Sequence, residues 1–280
     1  MSVINTNVSA TLAANSLTRN ERTMSVAMER LSTGLRINSA KDDAAGLAIS
    51  SRMTGQIKGL EQAARNANDA ISMVQTVEGA SKEILNMLTR MRELAVQSAT
   101  DTYSATDRDA LDLEYQQLQS EIDRIASTTQ WNGSNVMDLA AASDDFTIQI
   151  GANAGQTMTV TFLSWDTADA AATAYGVDIS TLDVDTKANA SAAITALDTA
   201  INGAAGEQAK YGSYISRLQH TSDNLMNIAQ NTDAARSRIQ DADYARETTE
   251  LARTQIIAQA GTAMLAQANQ AKQTVLSLLR

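Results

Sequence analysis

Few side chains in this sequence are spaced to do chemistry. The single histidine, His220, lies in a polar helical stretch. It has no second His or Cys with which to complete a zinc site or a nucleophile–base pair, so a solvated imidazole on a helix surface is the better reading. The chain has no cysteine, which removes disulfides, thiolate nucleophiles and zinc–thiolate centres. Asp183-x-Asp185 and Asp241-x-Asp243 could each touch a cation. Both lack the glycine and distal glutamate of an EF-hand loop and read as solvated carboxylates. Gly55-x-x-x-Gly59 has the spacing of a membrane-helix packing motif in charged surroundings, and Asn189-Ala190-Ser191 fits the glycosylation pattern at chance level. Ser and Thr are abundant but no base accompanies them, and there is no P-loop, His-Glu-x-x-His or Gly-x-Gly-x-x-Gly. The sequence therefore predicts no enzyme, no catalytic residue, no metal and no cofactor.

Composition narrows the class further. The 280 residues carry 22 Lys plus Arg against 32 Asp plus Glu, a net charge of -10. Nucleic acid and anionic membranes attract basic surfaces, so neither is an expected partner. The charge is uneven. Residues 1–55 are net +2, residues 240–280 are neutral and residues 56–239 are net -12, so the middle reads as a water-facing body and the ends as less repelled by their own kind. There is no proline to kink a long helix, and no aromatic residue precedes Tyr103. The first hundred residues must pack with aliphatic and Met side chains, as interdigitated helices can. Met1 to Ser16 has neither the basic residue nor the apolar core of a secretory signal, and no apolar run is long enough to span a bilayer. By these tests alone the protein stays in the cytosol, unless a dedicated export machine reads an uncleaved end.

The dominant pattern is an apolar repeat near 3.5 residues, which marks helices that pack as coiled coils. It runs through Leu17, Met24, Met28, Leu31 and Leu35, then from Ile49 through Ile71 to Ala95, then from Leu111 to Ile125. It returns from Tyr211 to Ile239 and closes with Ile257, Ala260, Met264, Ala268, Ala271, Val275 and Leu278. Met24, Met28, Met53 and Met264 lie on these stripes and read as core filler. Asp42 and Asp43 suit a helix start, Ser104 with Asp107 resembles a capping box, and Trp131-Asn132-Gly133 is a turn signal. Alternation in 146–150 and 158–162, joined by Gly151-Ala152-Asn153-Ala154-Gly155, predicts one β-hairpin at 146–162. Residues 163–187 lack periodicity and are expected to be a short surface excursion. The fold class is mainly α: a long helical coiled-coil bundle with a small β-hairpin. A single amphipathic helix is marginal in water, so each terminal stripe must pair with the other end of the chain or with another subunit.

At this point the residues resemble a known family. Ile4-Asn5-Thr6-Asn7, the run from Glu29-Arg30-Leu31-Ser32-Thr33-Gly34 to Ala45-Gly46-Leu47-Ala48-Ile49, and Arg92-Glu93-Leu94-Ala95-Val96-Gln97-Ser98 look like bacterial flagellin. So do Trp131-Asn132-Gly133, where the family usually has Phe, and Ile150-Gly151-Ala152-Asn153-Ala154-Gly155-Gln156. The far end matches in Ser237-Arg238-Ile239-Gln240-Asp241-Ala242-Asp243-Tyr244, in Gln259-Ala260-Gly261-Thr262-Ala263-Met264, and in the closing Val275-Leu276-Ser277-Leu278-Leu279-Arg280. The resemblance covers roughly 1–162 and 188–280.

The resemblance implies a subunit that self-assembles into the extracellular flagellar filament after unfolded export through the flagellar type III apparatus, without a cleaved signal. It divides the chain into a terminal coiled-coil filament-core domain, 1–40 plus 240–280, and a helical rod, 45–235, with 163–187 replacing the large outer domains of many relatives. The expected filament-core interface is Met24, Met28, Leu31, Leu35, Ile257, Met264, Val275 and Leu278. Expected partners are other flagellin subunits, the flagellar cap and hook-junction proteins, an export chaperone at the C-terminal helices, and an innate-immune Toll-like receptor contacting Arg90, Leu94, Gln97 and Glu114. Spacing alone would make those four an ordinary helix face. Lys272 stands where some relatives have Pro, which favours a straighter last helix. The alternatives are a hook–filament junction protein within the family and a helical-hairpin adaptor outside it.

Overall fold

The computed structural model describes residues 7–138, 143–167 and 174–277, and of residues 143, 144 and 271–277 the backbone alone. Among the described residues there are five helices: α1 Val8–Thr33, α2 Ala44–Ser98, α3 Ala105–Thr128, α4 Lys187–Gln240 and α5 Tyr244–Ser277. Between α3 and α4 come β1 Gln130–Trp131, β2 Ser134–Asn135, β3 Ser143–Gln149 and β4 Thr157–Leu163. The fold is mainly α, as the 3.5-residue repeat predicts.

Helix boundaries have local causes. Asn7 caps α1, its Oδ1 accepting from Ala10 N at 3.1 Å. Gly34 ends that helix in the left-handed conformation (φ 72°), which glycine adopts without steric cost. Asp43 Oδ1 accepts from Gly46 N at 2.9 Å at the start of α2. Ser104 and Asp107 form a reciprocal capping box on α3. Asn132 and Gly133 both take positive φ, 50° and 83°, in the two-residue turn between β1 and β2. That is the requirement of a type I′ hairpin. β3 and β4 pair antiparallel from Ser143↔Leu163 to Gln149↔Thr157, so the hairpin is slightly longer than the alternation indicates.

The chain forms two compact units. One takes residues up to Gly55 with those from Gln230 onward, and the other takes Gln56–Ala229; α2 and α4 contribute to both. The terminal unit thus includes 41–55 and 230–239 in addition to the segments expected for it.

The central unit holds the large core. Ile84, Leu88 and Met91 of α2, Tyr115 and Ile122 of α3, Leu197, Tyr211 and Leu218 of α4, and Val160 and Phe162 of β4 are all inaccessible to solvent. Residues 163–187 depart from the expected surface excursion. Trp165, Tyr175, Ile179 and Val184 are fully buried, and the described residues of the segment, 163–167 and 174–187, form a strap packed on α3 and α4. Trp165 Nε1 donates to Tyr211 Oη at 3.0 Å, and Tyr175 Oη donates to Trp165 O at 2.9 Å. The strap reaches α4 at Gly203, where a Cβ would stand 2.6 Å from Ala174 O and 2.7 Å from Tyr175 O. A column on one face of α3 holds the strap's backbone. Asp123 accepts from Thr167 N (3.2 Å), Gln119 donates to Ile179 O (3.1 Å), Gln116 donates to Leu182 O (3.2 Å) and Asp112 accepts from Val184 N (2.9 Å). The sequence does not reveal this because the strap's anchors are unevenly spaced and no helix or strand imposes a period on them.

Candidate functional site

The terminal helices pack as an antiparallel pair whose seam is small and polar. Asn20 is buried and donates through Nδ2 to Thr254 O at 2.6 Å. Arg30 pairs with the buried carboxylate of Glu247 at 3.1 Å. Asn7 Nδ2 reaches Ala268 O at 3.3 Å. Leu17 covers Gly261, where a Cβ would lie 3.4 Å from its Cδ1. On α5 the seam is Glu247, Thr254, Gly261 and Ala268, one heptad apart each time, which keeps a stripe facing a partner helix. Small residues there let the backbones approach, and the buried amide and ion pair fix the register, because a slip would leave them unpaired.

Large apolar groups point elsewhere. Ile257 is 43 % exposed, Met264 64 % and Met28 52 %, with Val8, Leu12 and Ile256 exposed beside them. Met24, Leu31 and Leu35 are half-buried, and Leu35 bridges to Asp241. Of the expected filament-core stripe, the structure sets Ile257, Met264 and Met28 outward and keeps Met24, Leu31 and Leu35 partly within the unit. The side chain of Val275 and all of Leu278 lie outside the described residues, as does the motif Ile4-Asn5-Thr6. Sequence reasoning missed the polar seam, since a search for large apolar residues passes over Asn20, Thr254 and Gly261.

A short paired segment joins these helices to the rest of their unit. Arg36 N donates to Gln240 O at 2.7 Å and Ala242 N to Gly34 O at 2.9 Å, while the Arg36 guanidinium reaches Ile239 O. Asp42 Oδ2 accepts from Ser39 N, Ser39 Oγ and Asn38 N at 3.0, 3.0 and 3.2 Å. The Ser39 backbone contact leads in holding the Asp42 carboxyl below its ordinary value.

The expected recognition residues fall in the central unit. Arg90 bridges Glu114 of α3 at 2.9 Å and Glu93 of its own helix at 3.0 Å. Gln97 Nε2 donates to Tyr103 Oη at 3.1 Å. Arg90, Gln97 and Glu114 are exposed and share one surface across α2 and α3, with exposed Val96 and Leu113 nearby in sequence. Leu94 does not join them. It is 1 % exposed and belongs to the core, so truncating it opens a cavity inside the protein and removes no surface contact. The i, i+4 spacing from Arg90 is compatible with either side of a helix edge, and burial decides it.

Comparison with known proteins resolves the class. Residues 4–142 match the bacterial flagellin N-terminal helical region and residues 194–279 the C-terminal helical region. Flagellin of Halalkalibacterium halodurans is 45 % identical over 99 % of this chain and 100 % of its own length. The chain belongs to the bacterial flagellins. The flagellar filament 33 kDa core protein of Treponema phagedenis is 44 % identical over 99 % of this chain and 100 % of its own. The crystal structure of Bacillus cereus flagellin superimposes with a TM-score of 0.50 at 39 % identity, covering 61 % of this chain and 94 % of that one. This flagellin is therefore a structural subunit of a filament, which polymerises with other flagellin subunits, and is not an enzyme. No described helix is long and apolar enough to cross a membrane.

Proposed function

We propose that this flagellin assembles into the extracellular filament through the outward groups of α1 and α5, after unfolded export by the type III apparatus. The observation that carries the reading is the exposure of Ile256, Ile257 and Met264 on α5 and of Val8, Leu12 and Met28 on α1, in the unit with the smaller core. Each such side chain gains about 1.5–3 kcal/mol on burial, so a lattice of subunits has a driving force that one subunit cannot satisfy alone. The test uses the full-length chain with Ile257→Asp and Met264→Asp, examined by sedimentation and electron microscopy. Each carboxylate would be trapped unpaired at every subunit contact, with a penalty of several kcal/mol. Loss of filaments with unchanged circular dichroism is expected; normal filaments from both variants would show that this face stays in water.

Export chaperone binding at the C-terminal helices, with the cap and hook-junction proteins as further partners, belongs to the same reading. The monomer is also proposed as a ligand of the Toll-like receptor for flagellin through Arg90, Gln97 and Glu114, which are exposed together. Reporter-cell signalling should fall with Arg90→Ala and Gln97→Ala, and wild-type potency in the double variant would end that assignment.

A further inference from the structure

The chain has 11 methionines and no cysteine, so thioethers are the only sulfur an oxidant can meet. Burial sorts them. Met73, Met91, Met137 and Met158 are buried in the central unit, and Met24, Met53 and Met87 are half-buried. Met28 on α1, Met264 on α5 and Met226 on α4 are each more than half exposed. Met264 lies one heptad beyond exposed Ile257. Set between the seam contacts Leu17–Gly261 and Asn7–Ala268, it stands level with exposed Leu12 of α1. The Ile, Leu and Val side chains of this face are inert to peroxide, and the two thioethers are not. We propose that Met28 and Met264 are oxidation sites through which peroxide blocks assembly, the free subunit being sensitive and the filament sealed. The inference rests on the assembly reading above, in which other copies cover the outward groups of α1 and α5.

Peroxide alone balances the step. The sulfur lone pair takes one peroxide oxygen, the O–O bond breaks as the S–O bond forms, and water leaves. Sulfur loses two electrons and the peroxide gains them. The product is a side chain of the same length carrying a polar, hydrogen-bond-accepting S–O group. On a free subunit that group faces water. Covered by a neighbouring copy, it is a buried acceptor without a donor, which opposes association. Methionine sulfoxide reductases reverse the step, one enzyme for each sulfoxide epimer, two thiols becoming a disulfide as the oxygen leaves as water. Met226 is the internal comparison, because it is similarly exposed but belongs to the central unit, outside the proposed assembly face.

The experiment treats full-length monomer with graded hydrogen peroxide and follows each sulfoxide by peptide mass spectrometry. Sedimentation then gives the critical concentration for polymerisation. Met28, Met264 and Met226 should convert first, and Met73, Met91, Met137 and Met158 last. Full conversion of Met28 and Met264 should raise the critical concentration by roughly tenfold or more. Reductases for both epimers, with dithiothreitol, should restore it. The ratio of treated to untreated critical concentration should fall toward one in the double variant Met28→Leu, Met264→Leu, whatever that variant's untreated value. In Met226→Leu the ratio should keep its wild-type size. An unchanged critical concentration in oxidised wild type, or a ratio lost in Met226→Leu, would overturn the proposal. Peroxide applied to preformed filaments separates it from the assembly reading. If Met264 reacts more slowly there than in monomer, yet oxidised monomer still polymerises, the oxidation proposal falls and the assembly reading stands. If Met264 reacts as fast in filament as in monomer, the face stays in water and both fall.

Discussion

The terminal and central units answer the same heptad pattern in opposite ways. In the central unit most large side chains turn inward, with Val96, Leu113, Met226 and Ile228 as exposed exceptions, and Trp165, Tyr115, Tyr175, Tyr211 and Phe162 are its largest fully buried groups. Among the described residues of the terminal unit the buried ones are Asn20, Ala27, Ile37, Gly46, Ser50, Glu247 and Thr254, mostly small or polar, while Val8, Leu12, Met28, Ile49, Tyr244, Ile256, Ile257 and Met264 are exposed. One unit closes its core within the chain; the other has a small, polar internal seam and leaves its large apolar groups exposed. The division suits the proposed assembly, because exposed apolar groups are a driving force for association that a fully closed core lacks.

The strongest test of the contrast is in the strap. Trp165→Ala removes the largest buried side chain and leaves Tyr211 Oη without its donor. A loss of about 3–5 kcal/mol is expected in denaturant unfolding. A loss near zero would mean that the strap is the surface excursion its composition suggests.

Leu94→Ala comes next. As a core residue at 1 % exposure, it should lower unfolding free energy by about 2–5 kcal/mol. Arg90→Ala beside it, exposed and bonded only to exposed carboxylates, should leave the unfolding midpoint nearly unchanged. Equal midpoints for the two variants would put Leu94 on the surface patch after all.

How far the sequence was legible follows from the same two units. Regular elements announce themselves: the type I′ turn at Asn132-Gly133, the capping box at Ser104 and the alternation of β3 and β4 were all readable because each has a fixed period or a demanded backbone conformation. The strap has neither. Its Asp-, Thr- and Ala-rich composition hides four anchors whose burial depends on α3 and α4, far away in sequence. Of the expected recognition residues on α2, Arg90 and Gln97 are exposed and Leu94 is buried, a division that spacing does not make. Spacing could not place Leu94, because three- and four-residue steps span the edge between the buried and exposed sides. The terminal seam was missed for a chemical reason, since Asn20 is polar and joins the seam by donating to the backbone carbonyl of Thr254, whose own hydroxyl bonds within α5.

That seam supplies a smaller effect. Asn20→Ala strips the side-chain donor from Thr254 O, which keeps its own helix bond, and a loss of about 0.5–1.5 kcal/mol is expected for the missing hydrogen bond. The readout is hydrogen exchange along α1 and α5, which should accelerate there and not at Leu88. Uniform acceleration across both units would mean that they unfold as one and that their separate packing has no energetic counterpart.

The smallest effect lies in the joint between α1 and α2. Hydrogen bonds from Ser39 and Asn38 hold the Asp42 carboxyl below its ordinary value, the Ser39 backbone foremost. A depressed folded pKa gives stability that is present above the ordinary carboxylate value and lost as pH falls through the folded one. Asp42→Asn should therefore melt below wild type at neutral pH, and the two should converge in acid. Asp183→Asn should do the reverse, melting above wild type at neutral pH, because Asp183 is displaced in the opposite direction. Thermal melts at about pH 7 and about pH 3 read both signs in one experiment. If both variants shifted the same way, the two carboxylates would not differ as their surroundings require: one held by donors in a terminal joint, the other facing acids at the edge of a core.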